Sequence, residues 1–125
     1  MKYHDFHLRS YSVGDFGKTI TLDLFYNYPN SSKEESEIRF VDVVAYHFIH
    51  TGGAIIAEIE EIPLPELLKR FGVKLLEWSR QHGGLKFLDG DLTNYKTTLE
   101  SEGYKSWYIV SAIGFEGFVI AKKVE

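Results

Sequence analysis

The residues best suited to acid–base chemistry lie in one stretch, FVDVVAYHFIHTGGAIIAEIEEIP, from Phe40 to Pro63. It holds Asp42, His47, His50 and the glutamates Glu58, Glu60 and Glu61. On a strand, Glu58 and Glu60 point to one face with their carboxylates ~7 Å apart. If Gly52 and Gly53 form the turn of a hairpin, Ile49 faces Ile56, His47 faces Glu58 and Ala45 faces Glu60. A histidine beside a carboxylate pair is equipment for a small hydrolase-like enzyme. The plainer alternative is a solvated sheet face, where an exposed His–Glu pair contributes at most about 1 kcal/mol.

Other constellations offer less. His4 and His7 are three residues apart, as are His47 and His50, so each pair splits across the two faces of a strand. With no cysteine in the chain, neither pair makes a metal site by itself, and no metal or cofactor is expected. Ser111 lacks the glycine-flanked elbow of a nucleophilic serine. No phosphate-binding glycine motif occurs. DGDLTN, from Asp89, lacks the ligand series of a calcium loop and is assigned to a helix start. Trp107, Tyr108, Phe115 and Phe118 cluster near the C-terminus. Phe115, between Gly114 and Gly117, is read as the exposed ring of a hairpin tip and a candidate contact residue.

These residues must be held by a 125-residue chain, read as one domain spanning 1–125. Its apolar share is 44%, its charged share 26% and its aromatic share 15%, a composition that supports a sizeable core. The formal net charge of −4 argues against a nucleic-acid partner, which calls for clustered Lys and Arg. No apolar run reaches the ~20 residues of a membrane helix, and no leader-like segment stands at the N-terminus. A cytoplasmic protein is expected, as a monomer or as a homodimer joined at an edge strand.

The first half alternates with period two. Strands are expected over 3–11, 18–28, 37–50 and 54–62, with PNSSKEESE as a polar loop. The second half changes to helical spacing. Pro63 and Pro65 open a helix that Gly72 could break and that Gly83-Gly84 ends. A second helix starts at the N-cap Asp91 and closes at Gly103. Two strands follow, joined at IGFEG. The order β-β-β-β-α-α-β-β predicts an α+β fold: a mainly antiparallel sheet of about six strands with two helices on one face. The expected core is Phe40, Val44, Tyr46, Phe48, Ile55, Ile59, Leu68, Phe71, Leu99, Trp107 and Ile109. The helices are expected against the face of Tyr46, Phe48, Ile55 and Ile59, leaving His47, Glu58 and Glu60 towards water.

The pattern F-x-D-V-x-x-Y-x-F, then I-x-x-I-x-E, a Leu-rich helix and a closing Y-x-I/V-x-x-x-G-x-x-G-x-V-x-A resembles small bacterial proteins similar to the immunity proteins of polymorphic toxin systems. Phe40, Asp42, Tyr46, Ile59, Glu61, Tyr108, Gly114, Gly117 and Val119 are among the matching positions, from Phe40 to Val124. The resemblance implies a non-catalytic protein-binding module that neutralises a toxin, and it carries no catalytic residue across. The expectation is therefore a basic protein partner met by His47, Glu58, Glu60 and Phe115. The alternatives are the hydrolase-like enzyme and a small-molecule-binding domain.

Overall fold

The computed structural model describes residues 3–83 and 85–125. In chain order the elements are β1 (Phe6–Gly14), a short 3-10 turn (Asp15–Gly17), β2 (Thr19–Tyr26), β3 (Glu34–Val41) and β4 (Ala45–Ile62). They continue with α1 (Leu64–His82), α2 (Leu92–Ser101), β5 (Lys105–Ala121) and β6 (Lys123–Val124). The fold is α+β, with every strand pair antiparallel and the sheet order β5-β4-β1-β2-β3-β6. β5 and β6 hold opposite ends of that order yet are separated only by Lys122. The chain can do this because the sheet curls until its two ends meet.

Curling gives the sheet two faces with different duties. The concave face closes on itself around Ile20, Leu22, Leu24, Phe40, Ile56, Ile59, Trp107 and Ile109, all buried. The convex face of β4 and β5 carries Ala45, Ile62, Phe118 and Ile120, and is covered by Leu64, Leu67, Leu68 and Leu75 of α1 and by Tyr95 and Leu99 of α2. Alternation explains the division: along β5, Trp107, Ile109 and Val119 point inward while Phe118 and Ile120 point to the helices.

Three expectations about the strands need correction. A single inner strand over 37–50 does not form. β3 ends at Val41, and Asp42 takes a left-handed φ of 56° that aspartate tolerates better than most residues. The N–H of Val43 then donates to the Lys18 carbonyl (2.8 Å) and that of Val44 to the Ile120 carbonyl (2.9 Å), so the chain changes partners at this corner. Nor is there a hairpin at Gly52-Gly53. β4 runs through both glycines and pairs with β5, from Ala45 opposite Ile120 to Ile62 opposite Ser106. The final hairpin at IGFEG is likewise absent, because β5 is one long strand. The glycines bend this ribbon instead of ending it. Between the pairs His50–Phe115 and Ile55–Ile113, residues 51–54 of β4 face Gly114 alone.

The helices follow their sequence signals closely. Pro63 caps α1 and Pro65 sits in its first turn, where a missing N–H costs nothing. α1 runs unbroken through Gly72. A Cβ there would stand 2.8 Å from Leu92 Cδ1, so the glycine makes room for α2. The Asp91 carboxylate accepts hydrogen bonds from the N–H groups of Thr93 (2.8 Å) and Asn94 (3.3 Å), capping α2. The C-cap of α1 is Gly83; Gly84 lies outside the described residues. Among the described residues, no helix is long and apolar enough to cross a membrane.

The expected core is found in part. Phe40, Ile59, Leu68, Leu99, Trp107 and Ile109 are buried, but Val44, Phe48, Ile55 and Phe71 are half-buried and Tyr46 is 40% exposed. One buried group is polar without a partner among the described residues: the Tyr95 hydroxyl, whose burial raises its pKa to about 12. Tyr95→Phe removes an unsatisfied oxygen and keeps the ring. It is expected to stabilise the fold by about 1 kcal/mol, read as a higher urea midpoint at an unchanged slope.

Candidate functional site

His47, Glu58 and Glu60 do share the convex face, but that face meets the helices. The sheet is curled, so the concave side, which holds Phe48 and Ile59, packs against itself and leaves the other side for α1 and α2. His47 faces Phe118 in the ladder, Glu58 faces Val110 and Glu60 faces Tyr108. The pairing of His47 with Glu58 falls together with the Gly52-Gly53 hairpin that would have produced it.

The surroundings of each residue differ. The His47 ring stacks on Trp78 of α1, with centroids 4.1 Å apart and planes 11° from parallel. Burial, helped by the charge of Lys74, lowers its pKa and favours the neutral ring. Glu60 sits by the first turns of α1. A hydrogen bond shared with Glu58 raises its pKa, burial and the charge of Glu58 add to this, and Arg70 opposes it. Arg70 also pairs with Glu66 (3.1 Å) and lies 5.1 Å over the Tyr108 ring. Tyr108 donates its hydroxyl to Glu116. Glu60 is thus near Arg70, and His47 near Trp78, eight residues on. That is about 12 Å of helix, too far for the histidine and the carboxylates to exchange a proton within one site.

Phe115 is only 1% exposed, so it is no hairpin tip. With β5 continuous, its ring turns inward and becomes the floor of an aromatic cluster. Tyr11 of β1 lies 5.3 Å from Phe115, 5.5 Å from Phe48 and 5.8 Å from His50. Phe48 and His50 in turn lie 5.0 Å and 5.4 Å from Phe115, and Tyr46 lies 5.5 Å from Phe48. Tyr11, Tyr46 and His50 remain exposed. The cluster stands where the sheet opens. β1 pairs with β4 only through Phe6–Ile56 and His7–Ile55, and the ladder does not continue beyond these. Past the end of a ladder, backbone donors and acceptors of the two strands are not paired with each other, here beside a wall of rings. Of this group the sequence offers only Phe115 as a contact residue; His50 stands there for acid–base chemistry, and Tyr46 and Phe48 for the core. Period-two alternation places Tyr46, Phe48 and His50 on one face of β4, but nothing local shows that β1 leaves that face uncovered.

A depression of about 480 Å³ lies on the outer face of β1, β2 and β3 around Arg9, Asp23 and Glu35. Arg9 makes a two-pronged pair with Asp23 (2.9 and 3.0 Å) and a third contact to Glu35 (3.2 Å). Its hydrogen bonds hold the Asp23 carboxyl below the usual range. Arg9 is engaged by both of these carboxylates, and with Glu37 also in the lining the surplus charge is negative. Among the described residues, no group of three or more His, Asp or Glu side chains is arranged to hold a metal ion. No family model matches this chain, and no curated protein or solved structure shows significant similarity to it.

Proposed function

We propose that this protein is a non-catalytic protein-binding module whose contact surface is the opening between β1 and β4. The observation that carries this reading is the ring cluster of Tyr11, Tyr46, Phe48 and His50 seated on the buried Phe115. Exposed aromatic side chains on a rigid floor offer large contact area at low entropic cost, the character of binding hot spots. The strand edges that run on past the short β1–β4 ladder suit an extended segment of a partner, which adds main-chain hydrogen bonds while the rings read its side chains. Glu58 and Glu60 belong to this reading as steering charge. With a net charge of −4, the protein favours a basic partner, and a toxin neutralised by an immunity protein is one partner of that kind.

Capture from a lysate, compared between wild type and Tyr11→Ser/Tyr46→Ser, tests the reading. The double variant should keep its thermal midpoint and lose the captured protein, with dissociation faster by about tenfold or more. Glu58→Lys/Glu60→Lys should also keep its midpoint, but it should slow association at low salt while changing dissociation little. A partner held equally by wild type and the tyrosine variant would overturn the assignment.

A further inference from the structure

A second cavity, of about 420 Å³, differs from the others in its charge. It is lined by Phe16, Lys18, Asp42, Lys86, Tyr104 and Lys122, together with short backbone segments. Three ammonium groups and one carboxylate give it an excess of positive charge in a protein of net charge −4. Among the described residues none of the three lysines has a carboxylate within ion-pair distance, in contrast to Arg9. Such a concentration of unneutralised charge in a concave site favours an anion.

The walls are built. The Val43 N–H bonds to the Lys18 carbonyl (2.8 Å) and the Lys122 N–H to the Val41 carbonyl (3.1 Å). The corner residue Asp42 therefore lies between two lysines whose backbones are fixed. Lys122 Nζ rests 5.3 Å over the Tyr104 ring and Lys86 Nζ 5.0 Å over Phe87. Left-handed backbone also gathers here: Phe16 at φ 55°, Asp42 at 56° and Phe87, next to Lys86, at 72°. Residues with a Cβ adopt that region at a cost, and such costs concentrate at functional sites. At Phe16 the result is an aromatic ring wholly open to solvent at the cavity's edge.

We infer that this cavity binds a small phosphomonoester carrying a planar ring. Lys18, Lys86 and Lys122 would hold the phosphate, whose charge of about −2 matches three ammoniums offset by one carboxylate. Phe16 offers a flat surface to the ring, Tyr104 supports the Lys122 ammonium, and Asp42 accepts hydrogen bonds from hydroxyl or amino groups between ring and phosphate. The site lies apart from the β1–β4 opening and does not depend on protein binding there.

Adenosine monophosphate, adenosine and inorganic phosphate are suitable probes, titrated into the intact protein by calorimetry and by backbone amide shifts. The monophosphate should bind saturably, about tenfold or more tighter than either fragment, with shifts centred on Lys18, Asp42 and Lys122. Lys18→Gln/Lys122→Gln should weaken it by about tenfold or more, and the charge-keeping Lys18→Arg/Lys122→Arg should restore most of the binding. Phe16→Ser should weaken the monophosphate and leave inorganic phosphate unaffected. The inference is overturned if the monophosphate shows no saturable binding in the millimolar range. It is equally overturned if the lysine-to-glutamine variant binds as wild type does, or if the shifts map elsewhere.

Discussion

Trp107→Ala is expected to cost about 3–5 kcal/mol, most of what a small domain has to spare. Trp107 is 2% exposed, and its ring lies 5.4 Å from that of Phe40 in β3. It therefore connects β5 to the far side of the curl across the concave core. β3 is laddered to the short β6 and not to β5 itself, so this ring packing reinforces a closure that only a short ladder otherwise makes. Truncation leaves a large void that the surrounding strands, held by their ladders, can only partly fill. The measurement is urea unfolding, and the expected result is a lower midpoint at an unchanged slope. Tyr46→Ala is the matched control: a ring of similar size that is 40% exposed should cost about 1 kcal/mol or less. A midpoint unmoved by Trp107→Ala would mean that the curl is closed by something other than this packing.

Much of the architecture was legible because its signals are local. The period of two before Pro63, the helical spacing after it, the Asp91 cap and the glycine at 103 each act within a few residues. They gave the order of elements and the α+β class. The misread features are those that depend on a distant segment. Phe40 to His50 alternates almost without fault, yet the chain turns at Asp42 because Lys18 and Ile120 receive the N–H groups of Val43 and Val44. The run of Val43, Val44 and Ala45 carried a trace of this change: three adjacent apolar residues cannot share one face, and Val43 serves the concave core while Ala45 serves the helices. Which face the helices would cover was misjudged for a related reason. The aromatic-rich face of β4 looked hungrier for helices, but a sheet that curls supplies its own cover on the concave side.

The candidate site followed the register. His47 and the glutamates were grouped through a turn at Gly52-Gly53, and without that turn the ladder partner of each becomes a β5 residue more than forty positions away. Phe115 was rightly noticed as a large ring between glycines, but the same glycines bring its strand against β4 and turn the ring inward. The lysines of the second cavity come from three separate parts of the chain, so no motif could have gathered them. What the sequence did carry there was faint: a phenylalanine between Asp15 and Gly17, in a turn where an apolar ring has no strand to pack against.

Gly114→Ala is expected to be the most damaging single-methyl change in the ribbon, while Gly53→Ala should be tolerated. At Gly114 the backbone has φ 76°, and a Cβ would lie 2.0 Å from the Gly53 carbonyl oxygen. Left-handed strain costs about 1–3 kcal/mol, and overpacking against backbone adds a similar amount because a main-chain carbonyl cannot swing aside like a side-chain end. At Gly53 no atom stands within 4 Å of the added methyl and φ is ordinary, so alanine should leave stability unchanged or raise it by about 0.4–1 kcal/mol through the unfolded state. The contrast separates two topologies. In a two-residue type I′ hairpin, Gly53 would need a positive φ and its alanine variant would lose stability. In a continuous β4 bent against β5, the conformational demand falls on Gly114 instead. Thermal or urea unfolding of the two variants decides between them. A destabilised Gly53→Ala beside an unaffected Gly114→Ala would restore the hairpin, and with it the facing of His47 and Glu58.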